Sequence, residues 1–407
     1  MNDSQKKQLI AQALEIGAGV VRLAPTWVPR TFGIPGGRLR LHPDDLYPLG
    51  LERGGISERW LSSTAQPDNG PLTGPEEGLS AIPVGGSTVT LRDAMALMGE
   101  EFLDPPAFEQ HGGWVMFSKL FDLMYPVPHH IHQDDTEASK VGQRGKPEAY
   151  YFPPQYNGHY GTAPHTFFGL LPGTTNEELI DCLKRWDTGK VGDNGILRLS
   201  RAFRLEVGTG WYVPPMTLHA PGTLCTYEPQ RASDVLSMWQ SLVSDFLIVD
   251  RGLIWKNVPK DHWHDYEYAV NLLNRDTNFD PDFKQHFFRP PKPVKSLEEM
   301  EAEGYRENWI TYGTPFFSAK ELTVYPGHTV TIKDAAAYGT ICVQGRGRFG
   351  KYAMSSPSLI RFGQMTDDEY FVTHHAAGEG ITITNESDCE PLVLLKHFNP
   401  GNPGVPA

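Results

Sequence analysis

Three histidines fall within four positions in the stretch PVPHHIHQDD, Pro126–Asp135. Residues i and i+2 of a strand share a face, so His130 and His132 project together and His129 points the other way. Such an H-x-H pair offers two neutral nitrogen donors, a start towards a divalent-metal site but not a whole one. A carboxylate, Glu148, stands in GKPEAYYF just before an aromatic, strand-like run. A further imidazole, His219, closes the proline-bounded segment GTGWYVPPMTLHAPGT. Together they suit Zn2+, with Mn2+ and Fe2+ also accepting these donors, and leave room for substrate or water. Other histidines fit less well. His42 in LHPDDL reads as a loop residue. His262 and His264 in DHWHDYEY lead into a helical pattern, where i and i+2 diverge. His374 and His375 lack a matching carboxylate and a third donor.

The elements that must position these residues are short. A 407-residue chain is too long for one ordinary domain. Its 41 glycines and 34 prolines favour many turns and short strands. Residues 5–16 have helical spacing, as do TLRDAMALMGEEFL from an N-cap at Thr90 to a stop at Gly99, TNEELIDCLKRW with Thr175 or Asn176 as cap, and HDYEYAVNLLNRD. The strand-rich WVMFSKLFDLMYPVPHHIH leads into the histidines. FFRPPKPVKS, Phe287–Ser296, reads as a stiff, solvated connector. Beyond it, short β-rich runs recur between Gly, Asp, Asn and Pro, the pattern of an antiparallel barrel or sandwich.

The net charge of -13 argues against nucleic acid or an anionic membrane as the main partner, without excluding an anionic small molecule. The first residues hold no apolar leader, and no run of about 18 apolar residues occurs. Cys182, Cys225, Cys342 and Cys389 are scattered with no C-x-x-C pair, as in a cytoplasmic protein with reduced thiols. Homo-oligomer formation is left open.

Seven segments, in order, resemble type I phosphomannose isomerase, a two-cupin, metal-dependent aldose–ketose isomerase. ISERWLSS, with Glu58 and Trp60, is similar to a Glu-x-Trp segment of that family. FSKLFD is similar to its active-site lysine strand and places the lysine at Lys119. HHIHQDD resembles its Gln-x-His-Pro-Asp segment, with His130 in the glutamine's place and His132 in the histidine's. KPEAYYF, with Lys146 and Glu148, resembles Lys-Pro-Glu-Met. FFGLLPGTTNEEL is similar to the segment that follows. VPPMTLHAPGT resembles a Val-Pro-x-Gly-x-x-His turn, with Met216 in the glycine's place. EPQRASD resembles Glu-x-Gln-x-x-Ser-Asp, ending on Asp234.

The resemblance implies a mainly β fold of two cupin-type barrels (jelly rolls) with a few short helices. Residues 1–290 would form the metal-binding catalytic domain, with small helical insertions, and 297–407 a second, metal-free one. It implies His130, His132, Glu148 and His219 as ligands of a divalent metal, Zn2+ first. Lys119, Lys146 and Asp234 would be catalytic, with Glu58 and Trp60 at the sugar. The substrate implied is a small sugar or sugar phosphate, with mannose 6-phosphate and fructose 6-phosphate interconverted through an enediol(ate). An unphosphorylated sugar or sugar acid, or non-catalytic sugar binding, is the alternative. The pattern departs at one point. Ser237 or Met238 stands where an arginine is expected, and Arg251, opening RGLIWKNVPK, is the displaced candidate. Arg251, Arg231 and Lys119 are the cations that would have to converge for a phosphate.

Overall fold

The computed structural model describes residues 1–158, 163–189 and 192–406. The chain builds two pairs of antiparallel sheets. In the N-terminal half a seven-stranded sheet carries, side by side, the strands Glu148–Tyr151, Thr226–Arg231, Met116–Phe121, Gly55–Leu61 and Thr26–Arg30. A five-stranded sheet contains His130–Ile131 next to His219–Ala220. Tyr150, Trp211 and Val213 of the first sheet pack with Phe168 of the second. In the C-terminal half a seven-stranded sheet built on Tyr305–Thr311, Ser318–Val324, Tyr338–Gln344 and Leu392–Phe398 shares a core with a four-stranded one. The mainly β expectation and the antiparallel pattern therefore hold.

The helices form where their caps allow. Asn2 caps the first, Asp3–Gly17, in a reciprocal pair with Gln5. Thr90 caps Leu91–Phe102, which kinks at Met98 and runs on through Gly99 instead of stopping there. Thr175 caps Asn176–Asp187 with Glu178 answering. Asp265 caps a short helix, Tyr266–Asn271, in the segment read as helical.

Two features redraw the domain division expected from the sequence. Val20–Arg22, near the N-terminus, pairs with Glu369–Val372 and so joins the C-terminal sheet. The connector is also less solvated than its prolines suggest. Phe288–Arg289 pairs with Gly210–Trp211 of the N-terminal sheet, and Lys292–Pro293 with Asn308–Trp309 of the C-terminal one. A linear cut at 290 thus does not separate the halves. They meet across buried polar contacts: Arg59 lies 2.7 Å from Asp368 and 3.2 Å from Glu369, and the Tyr151 hydroxyl donates to Glu321 at 2.6 Å. All four cysteines are free and three are buried. No described helix is long and apolar enough to cross a membrane.

Candidate metal centre

His130 and His219 are cross-strand partners, which brings their ring centroids to 4.2 Å. His132 follows just beyond the strand, its ring 4.8 Å from His130 and 5.0 Å from His219. The ligating nitrogens of all three lie within 4.8 Å of one another. His129 faces away and bonds Gln240. The turn before His219 is built on a residue that ordinarily resists it. Met216 has φ +63, a left-handed conformation that favours glycine. Its N–H donates to the His132 carbonyl at 2.7 Å, and its own carbonyl accepts from Asn274 and Asn278. These bonds hold the strained turn and tie the two histidine-bearing segments together.

Each imidazole is anchored the same way. Nδ1 of His130 lies 2.7 Å from the Pro128 carbonyl, that of His132 2.6 Å from Val235, and that of His219 2.8 Å from Thr217. A carbonyl only accepts, so Nδ1 carries the proton and Nε2 keeps its lone pair, the arrangement a metal-binding histidine needs. Burial, with neighbouring positive charge added, pushes the His130 ring well below its ordinary value and His132 down to about 3, keeping both neutral.

Glu148 comes from the facing sheet. Its Oε2 lies 3.0 Å from His132 Nε2 and its Oε1 3.1 Å from His219 Nε2. Burial alone would raise this carboxyl, but neighbouring positive charge, Lys146 foremost, holds it well below the usual range. Lys146 Nζ lies 3.1 Å from His132 Nε2 and 3.2 Å from Glu148 Oε2, whereas at His219 lone pair faces lone pair across 3.1 Å and Nε2 is buried without a hydrogen bond. Such a contact is unfavourable until a cation is shared between the donors. The four side chains fit a divalent ion.

Beyond Glu148 the charges alternate in a row across the sheet. Lys146 lies 3.2 Å from Glu148 and 3.8 Å from Glu228. Lys119, directly opposite Glu228 in the ladder, lies 3.0 Å from it and 3.8 Å from Glu58. Arg30 forks onto Glu58 at 3.0 and 3.1 Å and onto Asp234 at 2.8 and 2.9 Å. Their electrostatics differ. Burial works against the Lys119 ammonium, yet Glu228 and Glu58 raise its proton affinity above that of a free lysine. Arg30 overcomes the burial of Asp234 and keeps it strongly acidic. Glu228 is the exception: burial and the nearby Glu148 charge push its carboxyl up, against the two lysines. All these groups line one cavity, together with Phe32, Phe121, Leu123, Val127, Pro221, Leu236 and Met238.

The structure thus gathers His130, His132, Glu148, Lys119, Lys146, Asp234 and Glu58 around one cavity, with His219 against the first three, and leaves three expected residues outside it. Arg251 is exposed at the start of a short turn, Arg251–Ile254, against the loop at Gly189, because the inserted segment carries it away. Arg231 ends its strand paired with Asp135 at 2.6 Å and lies over the Phe316 ring. Trp60 is fully buried against Phe117, and its N–H donates to Glu58 at 2.7 Å, so it supports a carboxylate and does not offer a stacking face. Two residues went unread. Glu228 opens EPQRASD but was passed over for the aspartate at its end. Arg30 sits in TWVPR, and only the pairing of that strand with Gly55–Leu61 brings it to Glu58. The remaining histidines are dispersed: His42 caps a turn, His262 stacks on Tyr268, His264 pairs with Asp187, and His375 is exposed.

No protein-family model and no curated protein matches the sequence. Solved structures do match in fold. Mannose 6-phosphate isomerase from Bacillus subtilis superposes with a TM-score of 0.61 at 17% identity, covering 93% of this chain and 99% of that one. A single-residue variant of phosphomannose isomerase from Salmonella typhimurium gives 0.59 at 12% identity, covering 94% and 100%. A zinc-bound mannose 6-phosphate isomerase gives 0.59 at 12%, again covering 94% and 100%. Identity this low establishes a shared fold and leaves the reaction to be argued from the site.

Proposed function

We propose that this chain is a metal-dependent aldose–ketose isomerase. The observation that carries the reading is the meeting of three Nδ1-anchored imidazoles and Glu148 with a buried row of lysines and carboxylates in one cavity. The fold likeness supports it, since the matched proteins are named for isomerising mannose 6-phosphate. Mannose and fructose, free or as their 6-phosphates, have the required chemistry.

His130, His132, His219 and Glu148 would hold the divalent ion, Zn2+ by donor type, with Mn2+ and Fe2+ also acceptable. Such an ion supplies Lewis-acid stabilisation of the negative oxygen that develops when a proton leaves the carbon next to a carbonyl. The chain's own residues divide the remaining work. Moving a proton between C1 and C2 needs a base whose proton affinity lies near working pH. Glu148 and Asp234 are held too acidic, and Lys119 is held protonated. Glu228 is the carboxyl in the cavity whose affinity is raised, to about 8, so it takes the proton from one carbon and returns it to the other. Lys119 and Lys146 flank it with positive charge and polarise the sugar oxygens. Arg30 locks Glu58 and Asp234 as the fixed end of the row. The apolar wall excludes water from the enediol(ate).

The test is incubation of the zinc- or manganese-loaded protein in D2O with mannose, fructose and their 6-phosphates. Interconversion with solvent deuterium entering at C1 or C2 is expected. Absence of interconversion for every aldose–ketose pair tried, with metal bound, rejects the reading.

A further inference from the structure

Resting on the isomerase reading, we infer that the substrate is an uncharged sugar and not a sugar phosphate. The inference comes from how the cavity's cations are used. Its lining holds three, Arg30, Lys119 and Lys146, and four carboxylates, Glu58, Glu148, Glu228 and Asp234. Each cation sits between two carboxylates. The order is Asp234, Arg30, Glu58, Lys119, Glu228, Lys146, Glu148, with every cation flanked by two carboxyl groups and a carboxylate at each end.

Arg30, the group best shaped for a phosphate, has nothing left to give. A guanidinium has five N–H donors. Here Nε and one Nη2 hydrogen go to Glu58, the second Nη2 and one Nη1 hydrogen to Asp234, and the last to Asn69 at 3.1 Å. Arg30 is 2% exposed. A phosphate would have to displace a buried carboxylate, leaving that anion unpaired. The cations outside the lining are committed as well: Arg231 to Asp135, Lys256 to Asp68, Arg38 to Asp122. The rest of the lining, from Phe32 to Met238, offers carbon where a phosphoryl group would need donors. A phosphate dianion would add two more charges to the same enclosed space without a counterion.

Hydroxyl groups suit this lining. The carboxylates accept from them and the lysines donate to them without breaking the alternation. The sugar expected is therefore a free hexose or pentose, bound by its hydroxyls on the charged row and by its C–H faces on the apolar wall.

The experiment compares free sugars with their 6-phosphates on the metal-loaded protein, by kcat/KM and by calorimetric binding of mannitol and mannitol 1-phosphate, which do not turn over. Free sugar is expected to exceed phosphate ester by at least about tenfold in both readouts, with inorganic phosphate not competing. Preference for the phosphate ester in either readout overturns the inference while leaving the isomerase reading intact. If no sugar is isomerised, the reading fails, and the mannitol pair alone decides the inference: tighter mannitol upholds it, and tighter mannitol 1-phosphate or no binding of either overturns it. Asp234→Asn supplies the converse. By freeing one Arg30 donor and removing one anion it should shift the ratio towards the phosphate ester by about tenfold, and an unchanged ratio in a folded variant counts against the argument.

Discussion

Each half of the molecule buries a cluster of lysines and carboxylates between its sheets, and the two clusters are finished differently. In the C-terminal half Lys320 and Lys396 stand directly opposite one another on adjacent strands. Asp334 lies 2.6 Å from the first and 2.7 Å from the second, and Glu307 contacts both. Two ammoniums meet two carboxylates, and aromatic rings close the rest: Lys320 lies 4.5 Å over Trp309 and Lys396 5.2 Å over Tyr338. In the N-terminal half four carboxyl groups face three cations, and two imidazoles, His132 and His219, turn Nε2 towards Glu148. One cluster carries its own counterions. The other is complete only with a cation from outside. The same β scaffold therefore yields a structural core or a reactive cavity according to whether lysine or neutral histidine faces the acid.

Five substitutions or titrations would break or sharpen this contrast. His219→Ala or Glu148→Ala should lower bound zinc by tenfold or more by elemental analysis and abolish turnover, on the order of what loss of a metal ligand does. Glu228→Gln should keep zinc and lose about 10²–10⁴ in kcat; equal loss of both would recast Glu228 as a structural support of the metal. Lys396→Met should leave two buried carboxylates to a single lysine and cost about 3–5 kcal/mol in denaturant unfolding, with zinc per folded chain unchanged.

A pH titration addresses the junction between the halves. Burial raises Glu369 to about 7, with Arg59 opposing and Asp368 reinforcing. Its folded value lies above the unfolded 4.5, so its contribution is full below pH 4.5 and is lost as pH rises through 7. Glu369→Gln should therefore gain on the parent by roughly 2–3 kcal/mol between pH 5 and 8, read as the change in the difference between their unfolding free energies. A difference independent of pH would mean the carboxyl is ionised throughout. The smallest effect is expected at Arg251→Ala, within about 0.5 kcal/mol and without change in turnover; a large kinetic loss there would show that its loop reaches the cavity during the reaction.

The candidate metal ligands were legible because their geometry is local. An H-x-H pair at a strand, a carboxylate before a strand and a histidine after a turn each follow from a few neighbouring residues. Arg30 was not legible, since its role depends on one strand pairing that sets it beside Glu58 and on a return of the chain that brings Asp234 to the same fork. Arg251, already displaced by an insertion in the sequence, lies outside the cavity because that inserted segment sets it against the loop at Gly189. Helix starts were read well from Thr90 and Thr175, whose hydroxyls meet the first-turn N–H groups. The stop at Gly99 failed, since the turn continues with the Phe108 ring packed where a Cβ would stand.

The strand Val20–Arg22 has a consequence for how the protein is made. It is synthesised about 350 residues before its partner, Glu369–Val372. Closing so long a loop comes late and slowly. During synthesis the sheets around the histidines can assemble from their own strands while this segment waits, uncommitted, for residues 369–372. A nascent chain halted before residue 369 should carry that segment accessible to protease, and the finished chain should not.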